Sequence, residues 1–302
     1  MRLTQRTVIL VTAAVASFAP VTMVTAIPAA ASNATATPYA VTPAIRVTAT
    51  IPVGLNPVQV AANSRTNTIY VTNDGDNTVS VISGHTNTVT ATIPVGSAPR
   101  GITLNPRTNT IYVTNIEDNT VSVISGHTNT VTATVPVGAS PFSVAANPRT
   151  NTIYVANEVA STVSVISGRT NAVIATIPVA SGPQGIAVNP RTNTVYVTCT
   201  ASNSEVSVIS GQTNTVTATI EAPPAPLAVA VNPKTNTIYV TNNDSTVSVI
   251  GGSADTVVTK IPVSSESVGA AVNPKTSSQP KVLMGSHRAG IALYAKSPLI
   301  PL

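Results

Sequence analysis

Side chains able to do acid–base or metal chemistry are few in this chain of 302 residues. The three histidines are His85, His127 and His287, and the only cysteine is Cys199. A metal-dependent hydrolase or lyase needs histidines and carboxylates that converge on one place. His287 with Glu266 is the one pair to consider for such a role, and the sequence has neither a phosphate-cradling glycine loop nor a nucleophile elbow. The sequence therefore predicts no catalytic residue, no metal site and no cofactor.

Charged residues recur at a fixed period instead. One cation follows each apolar segment that ends in Asn, and the set is Arg65, Arg107, Arg149, Arg191, Lys234 and Lys275. Carboxylates recur at a second point of the period, at Asp74, Asp76, Glu117, Asp118, Glu158, Glu205 and Asp244. Repeated cations can hold an anionic polymer through many weak contacts. The alternative is that one turn was duplicated together with its solvated cation, whose field salt screens.

The elements that carry these charges are internal repeats. Tyrosines recur at Tyr70, Tyr112, Tyr154, Tyr196 and Tyr239, with spacings of 42, 42, 42 and 43 residues. Each repeat divides into four short segments of alternating Val, Ile and Thr, separated by Asn, Asp, Gly and Pro, which is typical of strands and tight turns. A four-stranded unit of about 40 residues is a propeller blade. The predicted fold class is an all-β propeller.

The phrase Tyr-Val-Thr-Asn stands at 70–73, 112–115 and 239–242. It resembles the YVTN β-propeller repeat family, and the resemblance extends over nearly all of the chain after its N-terminal segment. The resemblance implies an extracellular or surface-layer-like propeller. More distantly, the repeats look like the propeller lactonases and streptogramin lyases, whose catalytic residues have no counterpart here.

The two ends of the repeat region look like parts of one further blade. Residues 44–54 match a fourth strand with no three strands before it. Residues 268–274, 282–286 and 290–295 match a first, a second and a third strand with no fourth after them. We therefore predict six blades, closed by the N-terminal strand in the last blade, because closure removes exposed sheet edges. A seven-bladed ancestor is the alternative.

The N-terminus predicts export. Arg2 and Arg6 precede the apolar run 8–19, and the small residues 29–31 suit cleavage. We expect a signal peptide at 1–31, a leader at 32–43 and one propeller domain at 44–302, in a secreted protein with no transmembrane span after cleavage. An uncleaved anchor is the alternative. Cleavage removes two cations and lowers the net charge from +5 to +3, and with 3% aromatic residues this does not favour nucleic acid.

Propeller topology sorts these charges between two faces. Turns after the first and third strands emerge on one face with the cations, and turns after the second and fourth strands emerge on the other with the carboxylates. Arg100, Phe142 and Gln184 stand at a varied position of the first strands, which predicts a recognition patch at the channel mouth. We expect a secreted, non-enzymatic binding or scaffolding module whose partner is an anionic cell-envelope polymer or an extracellular protein. The alternatives are a lactonase- or lyase-like enzyme at the mouth, and self-association.

Overall fold

The computed structural model describes residues 7–10, 49–201, 204–222, 225–263, 269–272, 282–286 and 289–294. These residues form 25 strands. The strands are β1 (Thr7–Leu10), β2 (Ala49–Pro52), β3 (Pro57–Asn63), β4 (Thr68–Asn73), β5 (Thr78–Ser83), β6 (Thr88–Pro94), β7 (Pro99–Asn105), β8 (Thr110–Asn115), β9 (Thr120–Ser125), β10 (Thr130–Pro136), β11 (Pro141–Asn147), β12 (Thr152–Asn157), β13 (Thr162–Ser167), β14 (Ala172–Pro178), β15 (Pro183–Asn189), β16 (Thr194–Cys199), β17 (Glu205–Ser210), β18 (Thr215–Glu221), β19 (Pro226–Asn232), β20 (Thr237–Asn242), β21 (Thr246–Gly251), β22 (Thr256–Pro262), β23 (Gly269–Val272), β24 (Val282–Ser286) and β25 (Ala289–Tyr294). Within this part of the chain, no helix has the length and hydropathy of a membrane span. Apart from β1, the predicted signal peptide and leader lie outside the described residues.

Twenty of these strands form five four-stranded antiparallel sheets in chain order. We name them blade 1 (β3–β6), blade 2 (β7–β10), blade 3 (β11–β14), blade 4 (β15–β18) and blade 5 (β19–β22). The first strands of neighbouring blades lie side by side, whereas the fourth strands barely meet. The first strands therefore face a common axis and the fourth strands lie outermost, which is the arrangement of propeller blades.

The hydrophobic core lies between the blades. Tyr70 of blade 1 packs with Ile102 and other apolar side chains of blade 2. In the same way, Tyr112 of blade 2 packs with Val144 of blade 3. Burial raises the pKa of Tyr112 to about 12, as expected for a phenol removed from water. Each blade therefore depends on the next one to cover its tyrosine.

Asparagines close the tight turns. Asn67, Asn77 and Asn87 have φ angles of 51°, 55° and 55°, a left-handed conformation that Asn tolerates better than most residues. Upstream of the first of them, Asn63 Oδ1 accepts a hydrogen bond from the Arg65 amide at 3.0 Å. The repeated Thr-Asn phrases therefore form the tight turns. The turn that begins at Asn63 also fixes the backbone of Arg65, the first of the recurring cations.

Asparagine side chains also join neighbouring blades. In each case, Nδ2 at the end of a first strand donates to Oδ1 in the following blade. The pairs are Asn63–Asn109 at 2.7 Å, Asn105–Asn151 at 2.7 Å, Asn147–Asn193 at 2.7 Å and Asn189–Asn236 at 2.6 Å. We call these four bonds the asparagine ladder. Because the donors begin the turns that carry the cations, the ladder sets the position of each cation relative to the next.

The strand β2 stands where a fourth strand of a preceding blade belongs. Its Ile51 is 2% exposed and packs against Val71 and Ile82 of blade 1. In the equivalent place, Ile93 of blade 1 packs against blade 2. The N-terminal strand predicted from residues 44–54 is therefore present and lies beside blade 1.

The last described sheet has three strands, β23, β24 and β25, at the positions predicted from the degenerate end of the repeats. The predicted direct pairing of the N-terminal strand with this sheet is not found among the described strands. Instead β2 pairs antiparallel with β1, from Thr7↔Pro52 to Leu10↔Ala49, and β1 lies beside β25. The segment 7–10, which belongs to the predicted signal peptide, thus occupies the position between them.

Candidate functional site

Hydrogen bonds between turns assign every turn to one of two faces. The Gly84 amide, in a turn after a third strand, donates to the Asn67 carbonyl, in a turn after a first strand, at 2.8 Å. The Asp74 amide, after the second strand of blade 1, donates to the Asn56 carbonyl, before the first strand of the same blade, at 3.0 Å. We call the face with turns 63–68 and 83–88 and their equivalents the basic face. The face with turns 73–78 and 94–99 and their equivalents is the acidic face.

The basic face carries an exposed cation in each of the five blades. These residues are Arg65, Arg107, Arg149, Arg191 and Lys234. Exposed His85, His127 and Arg169 lie on the same face. The predicted sixth cation, Lys275, lies outside the described residues. Because the asparagine ladder ties successive turns together, the five cations form a fixed arc whose backbone spacing is set by the blades.

The acidic face carries the predicted carboxylates of the turns after the second strands. Some of them hold the turns in place, since Asp118 Oδ2 accepts a hydrogen bond from the Ser97 amide at 2.8 Å. Two carboxylates were not assigned from the sequence. Glu221 ends β18 on the acidic face. Asp255 lies on the basic face, at the position that Asn87 holds in blade 1, and its partial burial raises its pKa.

The channel mouth on the acidic face brings two of the three predicted patch residues into contact. Arg100 and Phe142 stand one residue after the prolines that begin β7 and β11. The guanidinium carbon of Arg100 lies 3.9 Å from the centroid of the Phe142 ring, which is cation–π geometry. Thr72 Oγ1 of blade 1 donates to the Arg100 carbonyl at 3.0 Å, so the threonine of the Tyr-Val-Thr-Asn phrase positions the neighbouring blade's arginine.

The third predicted patch residue, Gln184, is joined to a residue that sequence reasoning placed only among the surface acids. Its Nε2 donates to Glu158 Oε1 at 2.8 Å, across the boundary between blades 4 and 3. Glu158 and Asp74 also act electrostatically on Arg100, where they oppose the larger effect of burial, which lowers the guanidinium pKa. The mouth therefore joins residues of blades 1 to 4 in one asymmetric cluster. The signal for Glu158 was its place directly after the Tyr-Val-Ala-Asn phrase.

Cys199 is a buried packing residue of blade 4. It replaces the last asparagine of the repeated phrase, which in blade 1 is Asn73 and lies against Gly54. A Cβ added to Gly54 would come within 2.7 Å of Asn73 Cγ. Blade 4 has Ala180 at the position of Gly54. Burial raises the pKa of the Cys199 thiol to about 11, which disfavours the thiolate that a nucleophile needs.

The remaining candidates for chemistry stay apart. His85 and His127 lie in exposed turns of different blades on the basic face. The candidate pair His287 and Glu266 lies outside the described residues. In the part of the chain that the structure describes, no three His, Cys, Asp or Glu side chains come together as metal ligands would.

Comparison with known proteins supports the architecture. No protein-family model matches the chain, and no curated protein is similar to it in sequence. Among solved structures, 1600 chains match it. One of them, Kuenenia stuttgartiensis hydrazine synthase, superposes with a TM-score of 0.58 at 14% sequence identity, over 80% of this chain and 96% of that chain. Because the sequence identity is this low and so many chains share the fold, the likeness establishes the fold alone.

Proposed function

We propose that this protein is a secreted, non-enzymatic propeller whose basic face docks on an anionic polymer of the cell envelope. The observation that carries the proposal is the arc of exposed cations Arg65, Arg107, Arg149, Arg191 and Lys234, one per blade. Single exposed charges interact weakly in salt. Several cations held on one rigid body can bind the same polymer at once, and their contributions to the binding constant then multiply.

The blades supply the rigidity that this mode of binding needs. Each arginine sits in a turn whose first asparagine is hydrogen-bonded to the next blade, as Asn105 is to Asn151 at 2.7 Å. Arg107 also donates from Nη1 to the Pro148 carbonyl of blade 3 at 3.3 Å. The backbone of each turn that carries an arginine is therefore ordered before a polymer binds, and binding costs little further ordering of it.

Retention of the mature protein on envelopes of the producing cells and on immobilised polyphosphate tests this function. We expect binding at low salt that is lost progressively as salt is raised. Changing Arg65, Arg107, Arg149 and Arg191 to Gln should weaken binding by about a hundredfold, because it removes most of the multivalent surface.

The control must change the net charge equally without touching the basic face. Thr92, Thr134, Thr176 and Thr219 are exposed on the outermost strands, and changing all four to Glu also lowers the net charge by four. This variant should retain most of the binding. Equal losses in both variants would mean that net charge, and not the basic face, governs retention; no retention of the wild type would overturn the proposal.

We also propose that the mature ring has six blades and that its N-terminal strand completes the last one. The support is an uncovered surface on blade 1: Val60 is 56% exposed, whereas its equivalents Ile102, Val144, Ile186 and Val229 are 7%, 6%, 8% and 9% exposed. A sixth blade from residues 269–294 would cover Val60 as each blade covers the next. Removal of the signal peptide takes away β1 and frees β2 to pair with β25.

Placing a charge at Val60 of the mature protein distinguishes a closed from an open ring. If the sixth blade covers this position, Val60→Asp should lower the free energy of unfolding by about 2 kcal/mol, because an unpaired carboxylate is then buried. The matched control is Val258→Asp on outer strand β22, where the side chain is 69% exposed and little change is expected. Equal tolerance of both substitutions in urea denaturation would contradict closure.

The secreted location and kinship with YVTN repeats belong to the same proposal. Support for secretion is the basic and apolar N-terminal segment with its small-residue cleavage site. Support for the kinship is the repeated Tyr-Val-Thr-Asn phrase, whose tyrosine and threonine both act between blades.

A further inference from the structure

The mouth of the channel on the acidic face is a place where the described blades differ from one another. At the position after the first proline of a blade, blades 2, 3 and 4 have Arg100, Phe142 and Gln184. The side chains at this position converge across blade boundaries, since Arg100 covers the Phe142 ring at 3.9 Å. A selective binding site needs such an asymmetric place, and the near-identical cation-bearing turns of the basic face do not provide one.

The Arg100 guanidinium is held in place, yet its N–H donors are not used in hydrogen bonds. It is half-buried and stacked on Phe142, and its backbone carbonyl is fixed by Thr72 Oγ1 at 3.0 Å. Among the described residues, its side-chain N–H groups have no hydrogen-bond acceptor. Planar guanidinium groups bind carboxylates through two parallel hydrogen bonds. Stacking leaves the edge of the group, where those donors lie, available to a ligand.

The groups around Arg100 are acceptors with negative charge. Glu158 and Asp74 act on the guanidinium electrostatically, and Glu158 Oε1 already accepts from Gln184 Nε2 at 2.8 Å. Two carboxylates beside one cation repel a dianion such as phosphate. They instead favour a ligand that presents one carboxylate to Arg100 and hydrogen-bond donors to its neighbours.

We propose that the mouth formed by Arg100, Phe142, Glu158 and Gln184 binds a small monocarboxylate that carries neighbouring hydroxyl or ammonium donors. Arg100 takes the carboxylate, and Glu158 accepts from the donors. This site lies on the opposite face from the cations of the proposed envelope-binding surface, so the two can fail separately. A sugar acid and an amino acid both have this chemistry, and they differ in whether a hydroxyl or an ammonium group is the donor.

Titration calorimetry of the mature protein with D-glucuronate, L-serine and inorganic phosphate tests the site. We expect glucuronate or serine to bind with a dissociation constant near or below about 1 mM, and phosphate to bind more weakly than either. Arg100→Gln should weaken carboxylate binding at least tenfold. Phe142→Leu should weaken it about threefold, because the cation loses its aromatic platform. Binding by glucuronate alone assigns the donor as hydroxyl, and binding by serine alone assigns it as ammonium.

Two controls separate the site from general charge and from folding. Arg169→Gln removes an equally charged but exposed side chain on the basic face and should leave carboxylate binding unchanged. Arg100→Lys keeps the charge but loses the paired donors, and it should bind more weakly than wild type while unfolding at the same temperature. Absence of binding by both carboxylates, unchanged binding in Arg100→Gln, or tighter binding of phosphate would overturn the proposal.

Discussion

Replacing Gly185 with valine is expected to lower the free energy of unfolding by about 4 kcal/mol, near the upper end for a single substitution. Gly185 lies where the first strand of blade 4 meets that of blade 5. A Cβ added there would stand 2.5 Å from the Leu227 carbonyl oxygen and 2.7 Å from Thr198 Oγ1. Thr198 Oγ1 accepts from the Gly185 amide at 2.8 Å and donates to the Leu227 carbonyl at 2.9 Å. Relief of the clash therefore has to move a backbone and break the bond between two blades.

The matched control is Gly251→Val, at the end of the third strand of blade 5. The nearest atom to a Cβ added there is Val258 Cγ2 at 3.3 Å, in a side chain that is 69% exposed and free to turn away. Valine favours strands more than glycine does, so this variant should be as stable as wild type or slightly more stable. Urea denaturation of both variants gives the comparison. Similar losses of unfolding free energy in the two variants would show that the loss at Gly185 does not come from its contact with the next blade.

Asn147→Asp is expected to lower the free energy of unfolding by about 3 kcal/mol at pH 7. Asn147 is fully buried. Its Nδ2 donates to Asn193 Oδ1 at 2.7 Å, and its Oδ1 accepts from the Arg149 amide at 3.0 Å. An aspartate keeps the bond from the Arg149 amide. It replaces the Nδ2 donor with a carboxylate oxygen, which then faces Asn193 Oδ1.

The loss should depend on pH in a defined direction. The introduced carboxyl is buried and can donate to Asn193 Oδ1 only when protonated, so its pKa in the folded state lies above the value of about 3.9 in the unfolded state. Below about pH 4 both states are protonated, and the difference from wild type should shrink to about 1 kcal/mol. As pH rises above this value, the unfolded state loses its proton first and the variant becomes progressively less stable. Urea denaturation of variant and wild type at pH 3.5 and pH 7 measures this.

Asn87→Asp is the control for a change of Asn to Asp that the fold should accept. Asn87 is exposed and has a φ of 55°. Blade 5 naturally has Asp255 at the equivalent position, with a φ of 51°. This variant should cost less than about 0.5 kcal/mol at either pH. If Asn147→Asp were equally harmless, the asparagine ladder would not hold the blades together.

The repeat phrase predicted the strands correctly because its cues are local. Alternating Val and Ile around Tyr70 indicate a strand, and Asn67 and Asn77 indicate its turns, all within one repeat. The asparagine ladder was not predicted, since its partners, such as Asn63 and Asn109, are 46 residues apart. Each copy of the repeat contains both a donor asparagine and an acceptor asparagine, but the sequence does not show that the donor of one blade pairs with the acceptor of the next.

The sequence predicted the positions of the candidate site residues better than the contacts between their side chains. The basic face followed from topology, because Arg65 and its equivalents occupy one turn of the repeat. The contact between Arg100 and Phe142 followed from their shared position after a proline. The bond from Gln184 to Glu158 did not, because it depends on which neighbour a flexible side chain reaches across a blade boundary. The partner of β2 was also missed, since no pattern in residues 7–10 distinguishes a strand from the apolar part of a signal peptide.

The proposed docking through the basic face is tested most directly by arginine-specific chemical modification of the mature protein, free and in the presence of cell envelopes. Docking through the basic face predicts that Arg65, Arg107, Arg149 and Arg191 become protected together on binding, while Arg100 on the acidic face reacts as before. Protection of Arg100 without the other four, or equal protection on both faces, would contradict docking through the basic face.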